Sequence, residues 1–471
     1  MKRGVALVGM AEIERDARQL PGPRYLAIVQ AFEEAMERGV LRVGQRLPAI
    51  REMAARLRVD VGTVSRAYAE MKRRRLVSSE VGRGTFVGDR QPDAPLSLLQ
   101  AAPDASAFID LSHNFPAGAP PHPLIGWIEA AQRGAWAGAE ALSMQADIGR
   151  PAQRETLAQW LASSAVQASA DEVLITGGAQ HGILLALQAT TRPDEAVLCE
   201  STTFYGLLSA AHFLGRRLVA LAMDAEGLVP QALDEALRAQ QGRVVYCNPT
   251  LHNPTTRTMG LARREAIAQV CRRHDAVLIE DDVYGLFGGS GVVPLCALAP
   301  ERSVYLTGFS KLLAPGLRVG VVRAPAYLMH RLGAGLRATT LMAAAPMVDL
   351  VCRLASEGQM PALAQARRAQ VQERQAWLRE LLPATALAPP PDAFHWWMPI
   401  GDWRSEAFAA AARDLGVGVA AGALFAADPA QQPAFARVCI AAAPDRATLQ
   451  VAVTRLQALV RDGPQHFRHI C

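Results

Sequence analysis

A lysine stands at the centre of Gly308-Phe309-Ser310-Lys311-Leu312-Leu313-Ala314-Pro315-Gly316-Leu317-Arg318-Val319-Gly320, in a chain that otherwise avoids lysine. Of 49 basic residues in 471, only Lys2, Lys72 and Lys311 are lysines, which leaves 49 minus 3, or 46, arginines. Arginine supplies charge and bidentate hydrogen bonds, but its guanidinium stays protonated and does not attack a carbonyl. An amine loses its proton and forms an imine. A chance surface lysine is the alternative. Against it, Val304-Tyr305-Leu306 reads as a buried strand leading into the motif, and Arg318 follows seven residues on, where a second cation would hold an anion.

This stretch resembles the lysine segment of fold-type I aminotransferases, in which the lysine forms the internal aldimine of pyridoxal 5'-phosphate and the arginine clamps its phosphate. The resemblance implies Lys311 as the catalytic residue, with Ser310 beside it and Arg318 as the phosphate clamp. It extends to Thr176-Gly177-Gly178-Ala179-Gln180, where Gly178, Ala179 and Gln180 would offer backbone N–H groups to a phosphate at a helix start; a plain strand-to-helix loop reads the same way. In Glu200-Ser201-Thr202-Thr203-Phe204-Tyr205 the family's ring-stacking aromatic falls on Phe204, otherwise a core phenylalanine. Asn253, in Asn248-Pro249-Thr250-Leu251-His252-Asn253-Pro254-Thr255, would hydrogen-bond the phenolic oxygen together with Tyr284. Asp281 of Glu280-Asp281-Asp282-Val283-Tyr284 would pair with the pyridine nitrogen and keep the ring an electron sink. Arg437, in Phe435-Ala436-Arg437-Val438, falls where relatives bind a substrate carboxylate; the alternative is a solvated arginine. Two positions depart from the family: Gly308 replaces a common phosphate-binding hydroxyl residue, and Met144 replaces a tyrosine supplied to the partner subunit's site.

These residues need a scaffold. From Phe108 onward, short apolar runs at Val173, Val197, Val244, Val277, Val304 and Val319 alternate with amphipathic stretches such as 231–240 and 263–274. Such alternation calls for a mostly parallel sheet covered on both faces, with ligands at the carboxyl ends of its strands.

The amino-terminal end has another character. Residues 1–90 carry 18 Lys+Arg against 11 Asp+Glu, net +7, leaving 31 against 33, net −2, for the rest. A basic end is the electrostatic footprint of a polyanion partner. Apolar spacing predicts helices over 23–38, 49–57 and from Thr63 to about Arg74, then two strands, 76–79 and 85–87, closed by a glycine turn with Arg83 at its tip. Two short helices joined by a turn, the second with outward Thr63, Ser65 and Arg66, fit a helix-turn-helix. Arg46-Leu47-Pro48, Thr63-Val64 with Arg66-Ala67-Tyr68, and Gly82-Arg83-Gly84-Thr85-Phe86-Val87 resemble the GntR winged helix-turn-helix. That likeness implies duplex operator DNA as partner, with Arg46, Arg51, Thr63, Ser65, Arg66, Arg83 and Thr85 at the contact. One arginine common in relatives is Val61 here.

The expected organisation is therefore α/β. A winged helix-turn-helix occupies 1–88, a proline-bearing linker 89–107, and a fold-type I pyridoxal-phosphate domain with a smaller C-terminal α+β subdomain 108–471. A DNA-binding head on such a domain resembles the MocR subgroup of GntR regulators, which implies a homodimer and a small amino-compound effector. Seven cysteines without a C-x-x-C pair fit reduced thiols in the cytoplasm, and no segment approaches the roughly 20 apolar residues of a membrane helix. No metal site is expected. Three readings stay open: a regulator sensing an amino compound or pyridoxal phosphate itself, a working aminotransferase with an appended head, and a DNA-binding protein whose second domain only dimerises. The last has no use for Lys311, Asp281, Tyr284 and Asn253 together.

Overall fold

The computed structural model describes residues 13, 15–17, 23–37, 40–41, 45–73, 76–80, 84–87, 108–116, 125–126, 129–130, 143–288, 292–383, 388–431 and 433–467. The chain parts into two compact units, Met1–Asp93 and Ala94–Cys471. The expected linker 89–107 and Arg83 lie outside the described residues.

In the first unit, α1 (Arg24–Glu37), α2 (Ile50–Leu57) and α3 (Val61–Arg73) pack around one core that includes Phe32, Met53, Leu57, Val64, Tyr68 and Met71. Helix α3 begins at Val61, two residues ahead of the expected Thr63, because Asp60 caps it: the Asp60 carboxylate accepts from the Thr63 backbone N–H at 2.8 Å and from the Thr63 hydroxyl. The turn before it uses Arg58 in the left-handed region, φ 54°, whose N–H closes back on Ala55 O. Strands β1 (Val77–Glu80) and β2 (Gly84–Val87) pair antiparallel, and a bridge between Arg46 and Phe86 adds a third edge to this wing.

The second unit is built on seven strands: β3 (Val173–Thr176), β4 (Ala196–Glu200), β5 (Arg217–Leu221), β6 (Val244–Cys247), β7 (Val277–Asp281), β8 (Ser303–Gly308) and β9 (Gly320–Arg323). Their order across the sheet is β3-β9-β8-β7-β6-β4-β5. All pairings are parallel except those of β9, which runs antiparallel to both neighbours. The cause is local, since Phe309–Val319 between β8 and β9 holds only a single 3-10 turn, too little for the crossover that a parallel partner needs. Strands β3, β4, β6, β8 and β9 are buried at every residue, so they read as continuous apolar runs, not alternating ones. Helices α4 (Ala179–Thr190), α5 (Tyr205–Phe213) and α6 (Leu261–Arg273) follow strands β3, β4 and β6. A smaller antiparallel sheet, in the order β10-β12-β11, is formed by β10 (Trp396–Pro399), β11 (Ala420–Ala421) and β12 (Phe435–Val438), with its own core around Trp396, Met398, Phe408 and Val438. This is the fold-type I α/β architecture with a smaller carboxyl-terminal α+β part. Among the described residues, no helix is long and apolar enough to cross a membrane, and six cysteines are free and buried.

Candidate functional site

The large sheet brings the loops after β3, β4, β6, β7 and β8 to its carboxyl edge, where open parallel sheets bind ligands. They surround a cleft of about 720 Å³, counting the open space at its mouth. Ala179, Gln180, Phe204, Asn253, Asp281, Tyr284, Ser310, Lys311, Arg318 and Arg437 all line it. Arg437 arrives from β12 of the small sheet, so the cleft is shared between the two sheets.

At one end lies an anion cradle. Helix α4 starts after Gly178 with no side-chain cap, which leaves the N–H groups of its first turn available to an anion. Gly178 has φ 97°, and a Cβ there would sit 2.7 Å from Arg318 Nη2, so only glycine lets the arginine lie against the turn. Arg318, itself left-handed at φ 50°, donates from Nη2 to Gly177 O at 3.2 Å. A Cβ at Gly308 would meet Ala179 N and Val319 O at 3.4 Å, ordinary contact, so the missing hydroxyl is not excluded by space.

At the other end are hydrogen-bonding groups suited to a pyridine and its phenolic oxygen. Asp281 is 2% exposed; its Oδ2 accepts from Tyr246 Oη at 2.6 Å and its Oδ1 has no partner among the described residues. Burial raises its pKa to about 6 against the pull of the Tyr246 hydrogen bond, the position of a carboxylate awaiting a cation. Asn248 Nδ2 donates to the Asp281 carbonyl, and Asn248 Oδ1 accepts from Asn253 N at 2.7 Å. Asn253 Oδ1 accepts from Arg437 Nη1 at 2.9 Å, which leaves its amide nitrogen for the cleft. Tyr284 is buried, its oxygen 2.6 Å from Asn114 Nδ2, and burial drives its pKa up.

Lys311 Nζ donates to the Asn114 carbonyl and lies 4.3 Å from the centre of the Phe115 ring. Burial of the amine, then Arg437, lowers its pKa to about 7; Arg318 adds a smaller push in the same direction. The residue as a whole keeps partial exposure, so the amine stays reachable from the cleft. Arg437 is completely buried, not solvated: besides Asn253 it donates to Ser112 O at 2.7 Å, and its Nε has no partner among the described residues. Its guanidinium lies 5.5 Å and 4.8 Å from the rings of Tyr205 and Phe425.

Sequence reasoning misses Asn114, Tyr205, Tyr246, Asn248 and His395. Asn114 follows the two-residue strand Ile109–Asp110, paired with Val417–Gly418, in a stretch without periodicity. Tyr246 sits inside a strand and reads as core. Tyr205 shares the cleft with Phe204, and a neighbouring aromatic is the available signal. Met144 is 73% exposed.

On the first unit, Arg46, Arg51, Ser65 and Arg66 are exposed, and Thr85 is half-buried on β2. Thr63 is a partial correction to the outward reading: it is half-buried, with its hydroxyl committed to the Asp60 cap.

Comparison with known proteins fits both units. Residues 106–456 match the family Aminotransferase class I and II, and residues 24–87 match Bacterial regulatory proteins, gntR family. The HTH-type transcriptional regulator YdeF of Bacillus subtilis is 24% identical over 93% of this chain and 95% of its own. The vitamin B6 salvage pathway transcriptional repressor PtsJ of Salmonella typhimurium is 27% identical over 81% of this chain and 86% of its own. Among solved structures, an archaeal alanine:glyoxylate aminotransferase superposes with a TM-score of 0.69 at 21% identity, covering 76% of this chain and 92% of that one. LysN of Thermus thermophilus, an alpha-aminoadipate aminotransferase complexed with N-(5'-phosphopyridoxyl)-L-leucine, gives 0.69 at 25% identity over 79% and 95%. A gntR-type head joined to a domain that makes up most of the chain places it in the aminotransferase class I and II family as a MocR-type, pyridoxal-phosphate-dependent transcription regulator.

Proposed function

We propose that the protein is a dimer that binds duplex operator DNA through residues 1–88, holds pyridoxal phosphate on Lys311, and alters its operator binding when an amino compound enters the cleft. The observation that carries this reading is the buried amine of Lys311, brought near neutrality among Asp281, Tyr284 and Arg437 on a chain that also carries a DNA-binding head.

When bound, the cofactor supplies an aldehyde that condenses with amines and a ring that withdraws electrons. Lys311 would contribute the amine that holds the aldehyde, and it is neutral above about pH 7. Ala179, Gln180, Ser310 and Arg318 would hold the phosphate at the start of α4, with Gly178 making room for Arg318. Asp281 would pair with the ring nitrogen and favour its protonated form. Asn253 and Tyr284 would donate to the phenolic oxygen, Phe204 would lie against the ring, and Arg437 would hold a carboxylate on the effector. Arg46, Arg51, Ser65, Arg66 and Arg83 meet phosphates and base edges, with Thr63 and Thr85 supporting the helix start and the wing.

Borohydride reduction of the loaded protein followed by peptide mapping tests the assignment. The pyridoxyl group is expected on Lys311; finding it on Lys2 or Lys72, or on no lysine, overturns it.

A further inference from the structure

Behind Tyr284 lies a second buried layer that the roles above do not use. His395, on the approach to β10, is 1% exposed. Its Nε2 is 3.0 Å from Pro254 O, and its Nδ1 is 3.0 Å from Asn114 Nδ2. The same Asn114 nitrogen is 2.6 Å from the Tyr284 oxygen, and the Asn114 carbonyl accepts from Lys311.

We propose that His395 is a positioning residue which, through the Asn114 amide, turns the Tyr284 hydroxyl into a donor aimed at the cofactor. This inference rests on the cofactor assignment above and assigns two residues that the assignment does not use.

Counting protons sets the direction of each bond. A proline carbonyl only accepts, so the His395 nitrogen facing Pro254 carries a hydrogen. Burial, and next the nearby Arg437 charge, push the His395 pKa well below its ordinary value, so the ring stays neutral and has one N–H only. Nδ1 is then a bare acceptor. Facing it, the Asn114 amide must present its NH2 and not its oxygen, which settles an orientation that distances alone leave ambiguous. The two hydrogens of that NH2 serve two acceptors, His395 Nδ1 and the Tyr284 oxygen. Tyr284 therefore receives from Asn114 and keeps its own hydrogen to give elsewhere. Burial holds the phenol protonated, and the cleft is the open side available to it. With the other histidine tautomer the amide would flip, its oxygen would take the Tyr284 hydrogen, and the donor toward the cleft would vanish. The orientation has a cost, since Asn114 Oδ1 is left buried without a partner among the described residues.

A donor on the phenolic oxygen favours the deprotonated form of the lysine-linked chromophore, so losing it raises the pH at which the visible band shifts. The test is a spectral pH titration of the full chain loaded with pyridoxal phosphate, comparing parent, Tyr284→Phe, His395→Phe, the double variant and His395→Gln. The expected result is an upward move of the midpoint by about one pH unit in Tyr284→Phe and in His395→Phe, with no further move in the double variant. Glutamine offers an N–H for Pro254 and an oxygen for Asn114, so His395→Gln is expected to return the midpoint most of the way to the parent value. A His395→Phe midpoint equal to the parent's, alongside a shifted Tyr284→Phe, overturns the inference and leaves the cofactor assignment standing. A parent protein with no visible band overturns the assignment, and the inference with it. Thermal melting of the cofactor-free variants checks folding; if His395→Phe does not fold, Asn114→Leu carries the same comparison, because it removes the amide at the middle of the relay.

Discussion

At the scale of residues, Lys311 is legible because the chain chooses arginine almost everywhere else, and an amine does what a guanidinium does not. Its electrostatics are only half legible: Arg318 is in view in the motif, but the larger charge effect comes from Arg437, more than a hundred residues on, which only the folded chain brings near. With its pKa at about 7, Lys311 is mostly neutral above that pH and protonated below it, and only the neutral form attacks. The rate at which cofactor-free protein takes up pyridoxal phosphate should rise about tenfold per unit of pH up to roughly 7 and then level off, read by stopped-flow absorbance. A rise that continues past pH 9 would mark an ordinary, solvated lysine. Gly308 invites the opposite kind of change. Since a Cβ fits there, Gly308→Ser is expected to tighten pyridoxal phosphate by several-fold, about the effect of one added hydrogen bond to a charged group, in an equilibrium binding titration. Unchanged affinity would show that the present donors already satisfy the phosphate.

At the scale of elements, strand and helix alternation is plain in the apolar runs, while strand order and the reversed direction of β9 are not. Hydrophobic periodicity reports burial, and a strand buried on both faces looks the same in either direction. Tyr246 and Asn248 escape notice for the same reason, as their roles arise from which strand lies beside which, while Asn114 stands in a stretch without periodicity. The start of α3 differs by two residues from the expected one because Asp60, in sequence, reads as part of a turn and not as a cap. Asp60→Ala is accordingly expected to lower the melting temperature of the amino-terminal unit and weaken operator binding, with the cofactor spectrum unchanged. Loss of the spectrum together with DNA binding would contradict a role confined to the head. Gly178→Ala tests the cradle: at φ 97° with Arg318 2.7 Å from the new carbon, the backbone strain and the displaced guanidinium should weaken pyridoxal phosphate at least tenfold, seen in the same binding titration.

At the scale of the whole molecule, a net charge of +7 on residues 1–90 sits against −2 on the remainder, and this asymmetry is readable from composition alone. Operator affinity should fall steeply and linearly in a log–log plot against salt, with a shallower slope in Arg66→Ala. What couples the two units is not readable, because coupling requires that an effector bind one arrangement better than another. The cofactor-loaded protein, titrated with a panel of amines and amino acids while its visible spectrum and its operator affinity are recorded on the same samples, measures that coupling. A sensor of this kind requires at least one amino compound that changes spectrum and affinity over the same concentration range, with the affinity change lost in Lys311→Ala, and lost in Arg437→Ala when the compound bears a carboxylate. Amines that change the spectrum and turn over with a keto acid while operator affinity stays constant would contradict it.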